Sequence, residues 1–431
     1  MEKPGRGRRK KMKLWQMILI SILVIVMGVG IGAFIYANHM LDKLDKVDVN
    51  KDDLGMVDVD GYVNILIMGV DSRDMKHTKG SRTDAIILLS LEEKTNKVKL
   101  TSIYRDTMLK MGDSKKYDKT THAFAYGGPA ETVKTLNQAM DINVDKFVVI
   151  NWKTVVDMIN AAGGITLNIE DYEIDEMNAC TEETARVVGD GKYTKVTKPG
   201  KQKVDGYQAV GYGRMRYGVG DDFKRTERMR TVIEVLLNKL KKSDPKTIDK
   251  VLKVTMPLIK TNIDKTDILS LVARVPKYKI ETSAGFPYYL TGGLIDGVYY
   301  VIPDNLEKNV IEFHRRIFGR SNYIPSQKSM TISNRIEALA GSGNYVMDPD
   351  VVPPEEPAPD PAETPKEPET RQETNDKPAN PVTPDTPGSS SPNPNTNPNP
   401  GPPPVPDPGQ NPAPDPGGED QPGNNPSNPA G

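Results

Sequence analysis

Leu14 to Tyr36 is an apolar run of 23 residues without a charge. At about 1.5 Å per residue it is long enough to cross a hydrocarbon core of about 30 Å. Lys3, Arg6, Arg8, Arg9, Lys10, Lys11 and Lys13 precede it, so the run predicts an uncleaved anchor with the N-terminus inside and everything after Tyr36 outside the cell. VNILIMGV (63–70) and TDAIILLSL (83–91) are near-continuous apolar runs, the pattern of strands buried on both faces. KVKLTSIY (97–104) alternates more, after a turn at Glu92 to Asn96. Simple hairpin connections would make the three strands an antiparallel meander. Asp71 would then end the first strand, Asp84 begin the second and Arg105 end the third, all at one edge of the sheet. Arg73, Arg82 and Asp106 come with them.

Further on, residues 107–128 read as loop, broken at Tyr126-Gly127-Gly128-Pro129, and 129–140 as a helix with Pro in its first turn. KFVVIN (146–151) reads as a strand, 152–164 as an amphipathic helix closed by a glycine pair, and ITLNI (165–169) as a strand. Residues 170–200 are polar and predict a surface excursion. A short helix follows over 205–216. From Asp222, an N-cap residue type, Met229, Val232, Ile233, Leu236, Leu237 and Leu240 recur at helical steps to about Lys242. Helical spacing continues through 245–277. A strand at 297–303 and a helix at 304–318 complete the pattern. Strands alternating with helices predict an α/β fold: a single globular domain over 61–325, a mixed β-sheet flanked by helices.

Composition divides the rest. Residues 1–13 form a basic cytoplasmic segment, 14–36 the transmembrane helix, 37–60 an extracellular stalk and 326–347 a linker. Residues 348–431 are rich in Pro, Asn and Gly and poor in large apolar side chains. They cannot bury enough surface to offset ordering, and predict a disordered tail. The net charge of −1 gives no field that would draw nucleic acid. Cys180, the single cysteine, excludes an intramolecular disulfide framework.

The chemistry gathers in YGRMRYGVGDDFKRTERMR (212–230), which is rich in Arg and poor in Lys. The guanidinium fork matches phosphate or carboxylate at two points, where Lys offers one charge. On the helix from Asp222, Arg225 shares a face with Met229, Val232 and Leu236. An arginine pointing inward there needs an anion. With Arg73, Arg82, Arg105, Arg214 and Arg216, arginines outnumber the carboxylates Asp71 and Asp84, and a diphosphate would match the excess. Two carboxylates also suit Mg²⁺ that keeps its waters and bridges to phosphate. No histidine presents itself as a base: His122 and His314 are far apart and read as structural, which leaves Asp71 or Asp84.

The ordered series GVDSR (69–73), SRTD (81–84), SIYRD (102–106), KTTHAFAYGG (119–128), VDGYQAVGYGRMR (204–216) and DDFKRTERMR (221–230) resembles the LytR-CpsA-Psr family over about 60–240. The resemblance implies a membrane-anchored phosphotransferase that moves a glycopolymer, wall teichoic acid or capsular polysaccharide, from an undecaprenyl-diphosphate carrier to peptidoglycan. It implies a mixed sheet with an apolar lipid cleft. By motif, Asp71 and Asp84 correspond to Mg²⁺ ligands, while Arg82, Arg105, Arg214, Arg216 and Arg225 hold the diphosphate and Asp222 orients them. Asp71, Arg82 and Arg105 stand closest to the chemistry, and Arg73 joins the substrate-binding set. The family commonly has Gln where this chain has Met229, and Pro where it has Tyr104. Two other readings share the site: a polyprenyl-diphosphate pyrophosphatase, and a non-enzymatic envelope regulator that binds lipid carriers.

Overall fold

The structure is a computed structural model that describes residues 35–72, 75, 77–216, 222–342 and 345–347. The chain runs through β1 (Asp45–Lys46), β2 (Tyr62–Val70), β3 (Thr83–Glu92) and β4 (Lys97–Ile103). The short β5 (Met108–Lys110) and β6 (Tyr117–Lys119) lead into helix α1 (Thr120–Met140). Then come β7 (Lys146–Asn151), α2 (Trp152–Ala161), β8 (Ile165–Ile169), α3 (Ile174–Val188), β9 (Gly200–Val204) and α4 (Gly206–Arg214). After α5 (Asp222–Lys241) follow α6 (Pro245–Thr255), β10 (Lys260–Thr261), α7 (Lys265–Arg274) and β11 (Lys279–Phe286). β12 (Leu290–Ile295), β13 (Val298–Pro303), α8 (Leu306–Phe318), α9 (Gln327–Ala340) and β14 (Tyr345–Met347) end the described chain.

The largest sheet among the described residues has the order β1-β10-β7-β2-β3-β4-β11. β2, β3 and β4 form the antiparallel meander that the apolar runs predict, and β7 and β11 flank it in parallel. The result is a mixed α/β domain. Side chains alternate between the two faces of a strand, so β2 divides cleanly. Leu66, Met68 and Val70 pack with Ile86 and Leu88 against α1, α8 and α9. Ile67 points the other way with Ile150, toward α2, α4 and α5.

Four stretches differ from expectation, each for a physical reason. Residues 107–128 are not loop: β5 and β6 pair, and the helix begins at Thr120. The break at Gly127-Gly128 is present, because Gly128 takes φ 69°, but helix lies on both sides of it. Residues 170–200 hold α3, whose buried stripe is Met177, Thr181, Thr184 and Ala185. The two threonine hydroxyls donate to the Met177 and Cys180 carbonyls one turn back (2.6 and 2.7 Å), so a polar-looking stripe packs as core. The expected stalk 37–60 lies on the domain: Met40, Leu41, Leu54 and Val59 are buried, and β1 joins the sheet. The expected linker 326–347 carries α9, which buries Ile332 and Ile336; Asp141 accepts from the Ser326 N–H and hydroxyl at its start (both 2.6 Å).

Residues 1–34 and 348–431, which include the basic segment, nearly all of the apolar run and the whole tail, lie outside the described residues. Among the described residues no helix is long and apolar enough to cross a membrane.

Candidate active site

The meander sets the site through its register. Gly69 pairs with Ala85 but Val70 pairs with Thr83, so Asp84 is an extra residue without a partner on β2. Such a bulge re-aims a side chain at a sheet edge. Beyond it the Asp71 N–H donates to the Arg82 carbonyl (3.1 Å), which keeps the two strand ends together. From the end of β4, Arg105 Nη1 donates to Asp84 Oδ1 at 2.7 Å. Its Nε lies 3.5 Å from both Asp106 Oδ2 and Asp222 Oδ2. Asp222 opens α5, and its other oxygen lies 2.8 Å from Arg225 Nη2 and 3.4 Å from Arg216 Nη2. Thus Asp84, Arg105, Asp222, Arg216 and Arg225 form one charge network drawn from β3, the end of β4, the chain just past α4 and the start of α5.

Among the described residues the network is short of aligned acceptors. Arg105 Nε, Arg225 Nε and Arg225 Nη2 are buried without a hydrogen-bond partner among the described residues; Asp222 is near but not aligned. A buried donor left unsatisfied costs about 1–3 kcal/mol, more when charged. An incoming group with several acceptor oxygens would relieve that cost. Burial pushes the Asp222 carboxyl up to about 6, against the pull of Arg105 and Arg216. Behind the network, Arg228 Nε lies 3.1 Å from Glu173 Oε1 in a buried pair that ties α5 to the chain just before α3.

Other anticipated residues stand apart. Arg214 turns to α3, donating to Thr184 Oγ1 (2.8 Å) and Glu183 Oε2 (3.1 Å) rather than joining Asp222. Arg82 and Asp71 are exposed at the rim. Arg73 lies outside the described residues. His314 is structural as expected: buried, stacked on Tyr323, with Nε2 3.0 Å from the Met140 carbonyl, and held down to about 4 by burial. Burial pushes the Cys180 thiol up to about 11, which makes it a poor nucleophile. Sequence reasoning missed Lys119, whose Nζ lies 3.1 Å from Asp106 Oδ1. The loop expected over 107–128 hid it.

Beside the charges lies a narrow apolar cleft. Ile67, Gly69, Ala85 and Ile87 form its floor, Val155 and Gly213 two walls, and Met229 and Val232 a third. Gly69 and Ala85 are the strand neighbours of Asp71 and Asp84, and Met229 is one turn from Arg225, so cleft and network adjoin. Met229 therefore serves the cleft wall and not the charged end.

Asp71 and Asp84 offer oxygen donors only, the donor class of a hard divalent cation. Among the described residues no group of three or more His, Cys, Asp and Glu could hold a metal. Two such donors are too few for a closed protein cage.

A model of the LytR_cpsA_psr family matches residues 32–315, more than half of the chain. The chain belongs to this family. It is 33% identical over 248 residues to the polyisoprenyl-teichoic acid–peptidoglycan teichoic acid transferase TagU of Bacillus subtilis, covering 56% of this chain and 72% of that one. It is 32% identical over 270 residues to the biofilm regulatory protein A of Streptococcus mutans, covering 60% and 63%. A crystal structure of a Streptococcus agalactiae protein superposes with a TM-score of 0.51 at 30% identity, covering 62% of this chain and 90% of that one. The chain spans 58% to 63% of the length of several curated relatives it matches.

Proposed function

We propose that the chain is a membrane-anchored phosphotransferase that moves a glycopolymer from a polyprenyl-diphosphate carrier to peptidoglycan outside the cell. One observation carries the reading: buried arginine N–H groups that make no aligned hydrogen bond among the described residues stand at the end of an apolar cleft. That arrangement suits a ligand with a diphosphate head and a hydrocarbon tail. The similarity to TagU, named as a polyisoprenyl-teichoic acid–peptidoglycan teichoic acid transferase, supports the same direction.

In this reading the cleft takes the polyprenyl tail. Arg105, Arg216 and Arg225 bind diphosphate oxygens, with Arg82 at the rim, and Asp222 holds the guanidiniums in place; Arg73, close in sequence, joins the substrate-binding set. Asp71 and Asp84 would hold Mg²⁺, which when bound neutralises phosphate charge. Phosphoryl transfer needs positioning and charge stabilisation more than covalent chemistry from the protein, and these residues supply both.

The test uses the full chain in lipid vesicles with a polyprenyl-diphosphate-linked oligosaccharide and peptidoglycan. The expected product is oligosaccharide phosphate on peptidoglycan, with polyprenyl monophosphate released, and a chelator stops the reaction until Mg²⁺ is restored. Phosphate release that ignores the acceptor would make the protein a pyrophosphatase instead. Transfer that survives chelation would remove Asp71 and Asp84 from metal binding.

A further inference from the structure

We propose that His122, held by Asp118, accepts the proton of the attacking sugar hydroxyl, and that the acceptor approaches from the sheet face opposite the apolar cleft. The inference rests on the phosphotransfer reading above.

The two faces give the direction. The cleft lies on the face of Ile67 and Gly69, under α2, α4 and α5. α1 covers the other face, with Ala123 and Phe124 packed on Leu66, Met68 and Val70. The first turn of α1 is nonetheless tied to the charged strand ends. The Thr121 N–H donates to the Arg105 carbonyl (2.9 Å), and its hydroxyl donates to the Thr83 carbonyl (2.8 Å). His122 is the next residue.

His122 Nδ1 lies 2.9 Å from Asp118 Oδ1. Asp118 is buried, and its carboxylate also accepts from the Lys119 N–H (2.8 Å) and the Tyr126 hydroxyl. A carboxylate at Nδ1 keeps the proton there and leaves the lone pair on Nε2. The imidazole is 22% exposed, open to an incoming group. The neighbouring Lys119 reaches Asp106, which stands beside Arg105. Proton acceptor and diphosphate network therefore share one short stretch of chain.

Displacement at phosphorus is in line, with the attacking and leaving oxygens on opposite sides. A tail in the cleft sends the leaving polyprenyl phosphate to one face, so the hydroxyl must come from the other. Half-exposed Tyr126, edge-on to the His122 ring at 6.3 Å, offers that face an aromatic surface on which a sugar ring can lie. In the step, the hydroxyl proton passes to Nε2 and an oxygen electron pair forms the new bond to the sugar-side phosphorus. The bridging P–O bond breaks, and its electrons leave on the polyprenyl phosphate. Asp118 stays ionised and balances the imidazolium.

The experiment compares full-length wild type, His122→Gln and His122→Ala in vesicles, with a polyprenyl-diphosphate-linked disaccharide as donor and a peptidoglycan-derived oligosaccharide as acceptor. Donor affinity, transfer rate against pH and rescue by added imidazole are read. General-base removal predicts a transfer loss of about 10²–10⁴-fold in His122→Gln, with donor affinity unchanged within about twofold. Imidazole restores part of the rate to His122→Ala. The acid limb of the wild-type pH profile flattens in both variants; Asp118, Tyr126, Lys116 and Tyr300 are the titratable groups that face the dyad. Wild-type transfer matched by His122→Gln overturns this proposal alone. So does a loss without imidazole rescue, or, where the variants melt early, a wild-type profile without an acid limb. Wild type that transfers nothing overturns the phosphotransfer reading, and this proposal with it.

Discussion

The two faces of the seven-stranded sheet are built from the same strands and packed to different ends. Under α1, α8 and α9, Leu66, Met68, Leu88, Phe147 and Phe313 are all below 2% exposed, and Phe286 meets Phe313 edge to face at 5.8 Å. Under α2, α4 and α5, Gly69, Ala85, Ala209 and Gly213 stand where larger side chains would interdigitate, and a cleft remains. Protein interiors normally pack as densely as organic crystals, and empty apolar volume costs stability. A split on one face beside a solid core on the other points to selection for an occupant. Gly213 shows this on a single residue. A Cβ there would make only ordinary contact with Met229 Cγ at 3.5 Å, and no left-handed backbone requires glycine. What glycine provides at this place is room.

The largest effect should come from the solid face. Phe147→Ala is expected to cost about 3–5 kcal/mol of folding stability, read by denaturant unfolding, with donor affinity of the folded fraction unchanged. A loss below 1 kcal/mol would mean that this face is no better packed than the other. Gly213→Leu is the matching change on the split face. It should leave the melting temperature unchanged or raised while weakening donor binding by about tenfold, about 1.4 kcal/mol. Equal loss of stability and binding would erase the contrast between the faces.

The smallest effect lies at the junction. Asp222 is raised from the ordinary carboxyl value of 3.8 to about 6 by burial. A raised carboxyl contributes stability that is fully present below about 3.8 and is lost as pH rises through about 6. The melting temperature of wild type minus that of Asp222→Asn should therefore fall between pH 4 and pH 7. A rise across that window would show that the arginines outweigh burial.

Much of the charged edge is legible in the chain because buried strands announce themselves. The apolar runs 63–70 and 83–91 place Asp71 and Asp84 at one sheet edge, and the 97–104 strand brings Arg105 to Asp84. Helical spacing from Met229 to Leu236 turns Arg225 inward, where it is found. Other features carry no periodic signal. The bulge that frees Asp84 is a matter of register between two strands and cannot be seen in either alone. Thr181 and Thr184 bury as readily as aliphatic residues once their hydroxyls reach a carbonyl one turn back, so α3 looks polar in sequence. Arg214 reads as one of the arginine cluster, yet Glu183 on α3 takes it. The Asp118–His122 pair was hidden by the loop reading of 107–128, since helical i, i+4 spacing is sought only where a helix is expected.

The most direct test of the account is the affinity of the full chain for polyprenyl diphosphates of increasing length, from three isoprene units upward, in detergent at fixed Mg²⁺. If the cleft holds the tail and the arginines hold the head, affinity rises with each unit until the cleft is filled and then levels off. Affinity independent of tail length would contradict the central claim that cleft and arginine network form one site.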